Sequence, residues 1–549
     1  MIDFYTFNVP LLTKIAFNPE NPMGPYFTIG EAVSIVALVI AAYQLVNPLI
    51  KARFDLRPEW LHWLPLSLLL ISLVFCCFAA LLPALTSLHK YCLSFTVFWE
   101  ILAAFLALSA LAISAKIALT TPKLKANNAA IWLRVLRQLM LKGTHADFYV
   151  ITQLIEATSR NTVVKPLYQL AKNRRFCQTT KWDIYFARLL QSEINEAQDI
   201  CRHIFHLLAD TKFCRWCVES NPIFTIKLLQ FLETQDLSFD DSANLIVGNL
   251  ARQAVNSPSS HFEREQDVFH GFECLGNVLF GSNIIVNNYD PLSWISYYDY
   301  VVDEAVIKRH KKAITIALQA YIADSCCDGR AICQAIKYFV GPVHSNLYRT
   351  LKSKQINMQD ACFSVAWPVA EGLKEWAALL NKSNLSFEIP NKEYREDRNL
   401  AWCLGEAVIQ FYYGLAHYLD DEDAVRHSSI DALFVFSPFR LPDTDVSTFE
   451  TVARARMLHE LELISTGKSS IINSSPELVK LLFIVIGITP ISEKDEFGSW
   501  LRPNLEAAAK YLLKNPPRYR TKWSDESVLP SGWTFNKRSN RFVKSKISN

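Results

Sequence analysis

The chain has 549 residues, 50% of them apolar, 12% aromatic and only 20% charged, which excludes intrinsic disorder over most of its length. Only 16 glycines argue against collagen-like, propeller or glycine-rich phosphate-loop architectures, and 56 basic against 53 acidic side chains leave no global charge to mark a partner. A chain this long holds about two to four folding units.

The 13 cysteines are odd in number, and Cys76, Cys77, Cys326 and Cys327 sit inside apolar helical runs. Reduced thiols used as small buried hydrophobes are the preferred reading over a disulfide framework. That puts the bulk of the chain in a reducing cytosol.

The apolar excess lies in the first 120 residues. Residues 1–26 read as an extracytoplasmic segment, and MIDFYTFNVPLL lacks the basic start and small-residue cleavage site of a signal peptide. Residues 27–119 read as a three-helix transmembrane unit, with spans at 27–50, 60–85 and 93–119. Each offers the roughly 20 mostly apolar residues that a bilayer crossing needs. Buried core helices are the plainer alternative, disfavoured by length and near absence of charge.

Basic residues set the expected orientation. Lys14 alone precedes the first span; Lys51, Arg53 and Arg57 fill the first loop; Lys90 stands alone in the second; Lys123, Lys125, Arg134, Arg137 and Lys142 follow the third. The alternation predicts an outside amino terminus and a cytosolic remainder, as in a multi-pass protein of a bacterial inner membrane. Trp60, Trp63, Tyr91 and Trp99 lie near span ends, where amphipathic rings anchor. Lys116 is expected to snorkel to the cytosolic surface.

Ala103, Ala107, Ala110 and Ser114 form a small-residue stripe on the third span. Small residues let helices approach closely, either within the three-helix unit or between subunits of a homo-oligomer. Glu100, about two turns into that span, and Glu31 in the first are carboxylates at membrane depth, which nominates a pore or relay role against simple contact with headgroup water. Gln44 and Asn47 are placed to hydrogen-bond a neighbouring helix.

From residue 126 onward the apolar period is helical throughout, predicting an all-α region with domains at 126–383 and 398–513, divided near 384–397. Asn221–Pro222, Asp240–Asp241 and Ser475–Pro476–Glu477 are helix starters. No repeat of fixed length stands out, so a degenerate solenoid and an irregular bundle both remain, with the solenoid preferred.

Chemistry is sparse. His203, His206, Cys214 and Cys217 would offer two imidazoles and two thiolates to a structural Zn²⁺ if the CxxC folded over the helix, but the spacing is not that of a standard finger. Core cysteines and ordinary helix histidines are the plainer account, and no other cofactor is nominated. His417 with Asp420, Asp421, Glu422 and Asp423 reads as a helix end followed by an acidic first turn. Lys308, Arg309, His310, Lys311 and Lys312 read as a solvated basic face, with lipid headgroups or nucleic acid as the next choice. No nucleotide-loop, metalloprotease, hydrolase-elbow or calcium-loop motif is present.

Residues 514–549 form a basic tail with nine basic and two acidic residues. Arg518, Arg520, Lys522, Lys537, Arg538, Arg541 and Lys544 are its candidate binding residues, interleaved with Tyr519, Trp523, Trp533, Phe535 and Phe542. The segment predicts a hairpin turning at 537–540 that binds anionic lipid, nucleic acid or an acidic partner, or else docks on the protein's own body.

The leading expectation is a membrane-anchored helical interaction or sensor protein that recruits or senses a cytosolic macromolecule. The alternative is an oligomeric membrane effector or channel gated by its cytosolic domain, in stress or phage defence. A membrane-associated enzyme ranks last.

Overall fold

The computed structural model describes residues 47–81, 96–122, 128–159, 203–235, 241–265, 274–296, 304–323, 329–343, 365–390, 399–416, 448–469, 501–516, 527–529, 533–536 and 541–544. It also describes positions 30–31, 33–35, 37, 345, 476, 478–480, 482 and 538–539. The described chain is predominantly helical and forms two compact units, residues 1–207 and 208–549.

In the first unit, α1 (Pro48–Asp55), α2 (Glu59–Leu81), α3 (Thr96–Leu119), α4 (Ala129–Lys142) and α5 (His145–Ser159) follow in order. The first predicted span needs correction at its end. Asn47 does not continue a helix; its side chain accepts from the Leu49 amide at 3.0 Å, and Pro48 opens α1. A residue before proline is pushed out of the helical region, while proline at the first helical position forfeits no hydrogen bond. Asn47 is therefore a cap through its side-chain oxygen. Gly30, Glu31, Val33, Ser34, Ile35 and Ala37 are helical, whereas Gln44 and the rest of that span lie outside the described residues. Among the described residues two helices, not three, are long and apolar enough to cross a membrane, Glu59–Leu81 and Phe98–Leu119.

α2 and α3 pack along their length. Cys76 and Ser72 meet Ala103 while Leu69 meets Ala107 and Ala110, so the pair runs antiparallel. α4 and α5 form a tight helical hairpin. Gly143 ends α4 in the left-handed conformation at φ 61°, and its amide donates to the Leu139 carbonyl at 3.0 Å. Thr144 and Asp147 then cap α5 reciprocally: Thr144 Oγ1 accepts from the Asp147 amide, and Asp147 Oδ2 accepts from Thr144.

The second unit stacks α6 (Thr211–Ser220), α7 (Pro222–Gln235), α8 (Asp241–Asn256), α9 (His261–Arg264), a π-helical turn (Asn277–Gly281), α10 (Asn283–Tyr289) and α11 (Pro291–Ser296). Then come α12 (Glu304–Ala323), α13 (Arg330–Val340), α14 (Trp367–Lys382), α15 (Leu400–Ala416), α16 (Thr448–Ser465) and α17 (Arg502–Lys514). Starter chemistry is visible where Asp210 caps α6 through the Lys212 and Phe213 amides, and where Asn221 accepts from the Phe224 amide with Pro222 behind it. α6 packs on α8, α8 on α11 and α12, α11 on α13, α12 on α14, α13 on α15, α15 on α16, and α16 on α17. Close crossing at α15–α16 requires Gly405, because a Cβ there would stand 2.5 Å from the Ala453 carbonyl oxygen. Residues 384–390 run against α16, with Phe387 edge-on to Phe449 at 5.7 Å.

The only strands among the described residues are β1 (Trp533–Asn536) and β2 (Arg541–Lys544), an antiparallel hairpin pairing Phe535 with Phe542. Arg538 and Ser539 lie in its turn. Asn536 supplies the turn chemistry without an Asn-Gly pair, its Oδ1 accepting from the Arg538 and Ser539 amides.

Candidate functional site

The richest local arrangement lies where α1 meets the carboxyl end of α3. Helix ends leave carbonyls unsatisfied, and arginine is suited to reach them. Arg53 donates to the Ala118 carbonyl at 2.7 Å, and Arg57 donates to both the Thr120 carbonyl at 3.0 Å and Thr120 Oγ1 at 2.8 Å. Both guanidiniums keep a buried Nε with no hydrogen-bond partner among the described residues. His62 Nε2 lies 2.6 Å from the Phe54 carbonyl and joins α2 to α1. α1 also packs on α4 and α5, so these two helices are tied to the same end of α3.

Away from that end, α2 and α3 turn apolar faces outward. Leu70, Val74, Leu81, Phe105 and Leu108 are each more than half exposed, and only 28% and 22% of the two apolar windows are buried. Trp60 and Trp63 are each 65% exposed at the start of α2. The small-residue stripe faces inward: Ala103, Ala107 and Ala110 are buried against α2, and Ser114 is half-buried. Ser72 Oγ donates to the Ala103 carbonyl at 2.7 Å, a bond that needs the close approach that alanine allows. Glu100 is half-buried beside Trp99, whose ring meets Phe75 and Phe78 at 5.2 and 5.0 Å; Glu31 is exposed.

The zinc candidates fall in different surroundings. His203 and His206 are exposed on one turn of helix in the first unit. Cys214 and Cys217 are buried in α6 of the second, and burial pushes both thiols well up, so they stay protonated. Cys214 Sγ donates to the Leu208 carbonyl at 3.3 Å. Among the described residues no group of three or more His, Cys, Asp or Glu side chains is placed to hold a metal.

The basic run on α12 is not a solvated face. Lys308 alone is exposed, paired with Glu304 at 2.7 Å. Arg309 is buried and joins the Glu263 carboxylate at 2.7 Å to the Val255 carbonyl. Lys311 bridges Glu371 and Glu375 of α14 at 2.9 and 3.3 Å. Lys312 donates to the carbonyls of Phe262 and Glu265, and its ammonium sits 4.9 Å from the Phe262 ring centroid. His310 packs edge-on against Phe339, with Nε2 buried and without a hydrogen-bond partner among the described residues. Five consecutive residues at about 100° each circle the whole helix, so they cannot share one face. The run braces α12 to α9 and α14.

The tail hairpin buries Trp533, Phe535 and Phe542, and Lys510 of α17 lies 5.4 Å from the Phe542 ring centroid. Phe542 thus lies beside α17. Arg538 is exposed in the turn, and Arg541 and Lys544 lie on β2. Arg518, Arg520, Lys522 and Lys537 lie outside the described residues, as do His417, Asp420, Asp421, Glu422 and Asp423.

Sequence reasoning missed the arginine caps on α3 and the Thr144–Asp147 box. The box was there to find, as Gly-Thr-x-x-Asp between two periodic segments; the arginines reach more than 60 residues along the chain and left no local signal. Comparison with protein-family models, characterised proteins and solved structures finds no match.

Proposed function

We propose that this chain is a membrane-anchored helical protein whose second unit recruits or senses a cytosolic macromolecular partner. The observation that carries the anchor is the outward apolar face of α2 and α3: side chains such as Phe105, Leu108 and Val74 stand more than 60% exposed on two helices of spanning length. A core helix of a soluble protein would cover that surface; a bilayer covers it here. The basic loop containing Arg53 and Arg57 puts the α1 end on the cytosolic side, with the amino terminus outside.

The second unit suits binding because its helices meet mainly others one to three places away in chain order, a solenoid-like stack that leaves a long surface for a macromolecule. The channel reading ranks second, since Ala103, Ala107 and Ala110 of the small-residue stripe pack on α2. Alkaline carbonate washing should leave the full chain in the membrane pellet. Reporter fusions after Arg57, Lys90 and Lys142 should read inside, outside and inside. A chain released by carbonate would overturn the anchor. Ion conductance that Glu100→Gln alters would reinstate the channel.

A further inference from the structure

Resting on that anchor, we propose that α4 lies on the cytosolic leaflet and binds anionic phospholipid headgroups through Arg134, Arg137 and Lys142. Three observations meet on this helix. First, its sequence, AAIWLRVLRQLMLK, contains three basic residues and no acid. Second, its faces are sharply divided: Trp132, Val135, Leu136 and Leu139 are buried, while Arg134, Arg137, Gln138, Leu141 and Lys142 are exposed. Leu141 is 80% exposed in the middle of that basic stripe, an apolar side chain that water does not favour and an acyl boundary does.

Third, α4 is held at the right height. It packs on α1 and α5, and α1 is bonded through Arg53 and Arg57 to the last carbonyls of α3. Those carbonyls mark where the apolar helix leaves the bilayer. A basic stripe tied to that level meets the headgroup layer, where phosphates supply acceptors to guanidiniums that have none among the described residues. None of the three basic residues has an acidic neighbour on its own helix to neutralise it.

The test uses the full chain purified in detergent and titrated with phosphatidylglycerol or phosphatidylcholine, reading the shift of the melting temperature. Phosphatidylglycerol should stabilise the protein saturably and phosphatidylcholine should not. Soluble glycerol phosphate should have no effect, because the site needs a lipid surface. Arg134→Gln with Arg137→Gln should weaken the apparent affinity for phosphatidylglycerol about 25-fold, on about fivefold per basic residue at an anionic surface. Its melting curve in phosphatidylcholine should match the parent's, since both side chains are exposed. Lys142→Gln alone should cost about fivefold. Equal response to the two lipids, a response to glycerol phosphate as strong as to the lipid, or an unchanged affinity in the double variant overturns the inference. Carbonate washing separates the two failures: a chain that stays in the pellet but ignores lipid charge leaves the anchor standing.

Discussion

His310 shows how a single side chain can set a pH dependence. Its Nε2 is sealed inside the second unit and burial lowers the imidazole to about 3, from an ordinary value near 6.5. The folded protein therefore holds the ring neutral while the unfolded chain protonates it. Stability is complete above pH 6.5 and is lost progressively as pH falls toward 3, because the unfolded state binds the extra proton in that window. Glu219, held low by Ser257 and Arg215 in spite of its burial, adds to the loss below the carboxylate range. Asp290 works the other way, since burial raises it and favours the protonated folded form. His310 acts across the window from pH 6.5 to 5. Melting the full chain at those two pH values should show a fall that His310→Leu largely removes, leucine keeping the apolar contact with Phe339. An undiminished fall in the variant would assign the pH dependence elsewhere.

At the scale of elements, α2 and α3 were legible because a long charge-poor run is a one-dimensional signal. Their mutual packing was half legible. The stripe of Ala103, Ala107 and Ala110 announces close approach, but its partner lies about 30 residues away and no local pattern names it. The basic run on α12 misled for the opposite reason: charge suggests water, and only the contacts with Glu263, Glu371 and Glu375 show that Arg309 and Lys311 are used as braces. Period and caps announced most second-unit helices, while their order of stacking depends on contacts such as Gly405 against Ala453 that appear only once the chain is folded. The α2–α3 contact gives a direct test. Ala107 is 1% exposed beside Leu69, so Ala107→Leu inserts three extra carbons where no room exists. Overpacking of this kind costs about 1–3 kcal/mol. The variant should show reduced membrane abundance and a lowered melting temperature. Full abundance with loss of subunit association would instead place this face between subunits.

For the whole molecule, the order of packing in the second unit makes a claim about cooperativity. A globular core couples every helix to every other, so damage anywhere lowers the stability of the whole. Among the described residues, the main contacts join α6 to α17 through a succession of intermediates, each helix resting mainly on those one or a few places away in the chain. In such a stack, stability is a sum of local units and the interfaces between them, so a defect at one end decays along the row. Leu505 is fully buried on α17 at the carboxyl end of that row. Leu505→Ala leaves a cavity costing about 2–5 kcal/mol. Amide hydrogen exchange of the full chain should then accelerate strongly in α16 and α17, weakly in α13, and within error not at all in α6 and α8. The gradient is the signature of the stack. Uniform acceleration from α6 to α17 would show a single cooperative core, and the long independent binding surface proposed for this unit would lose its physical basis.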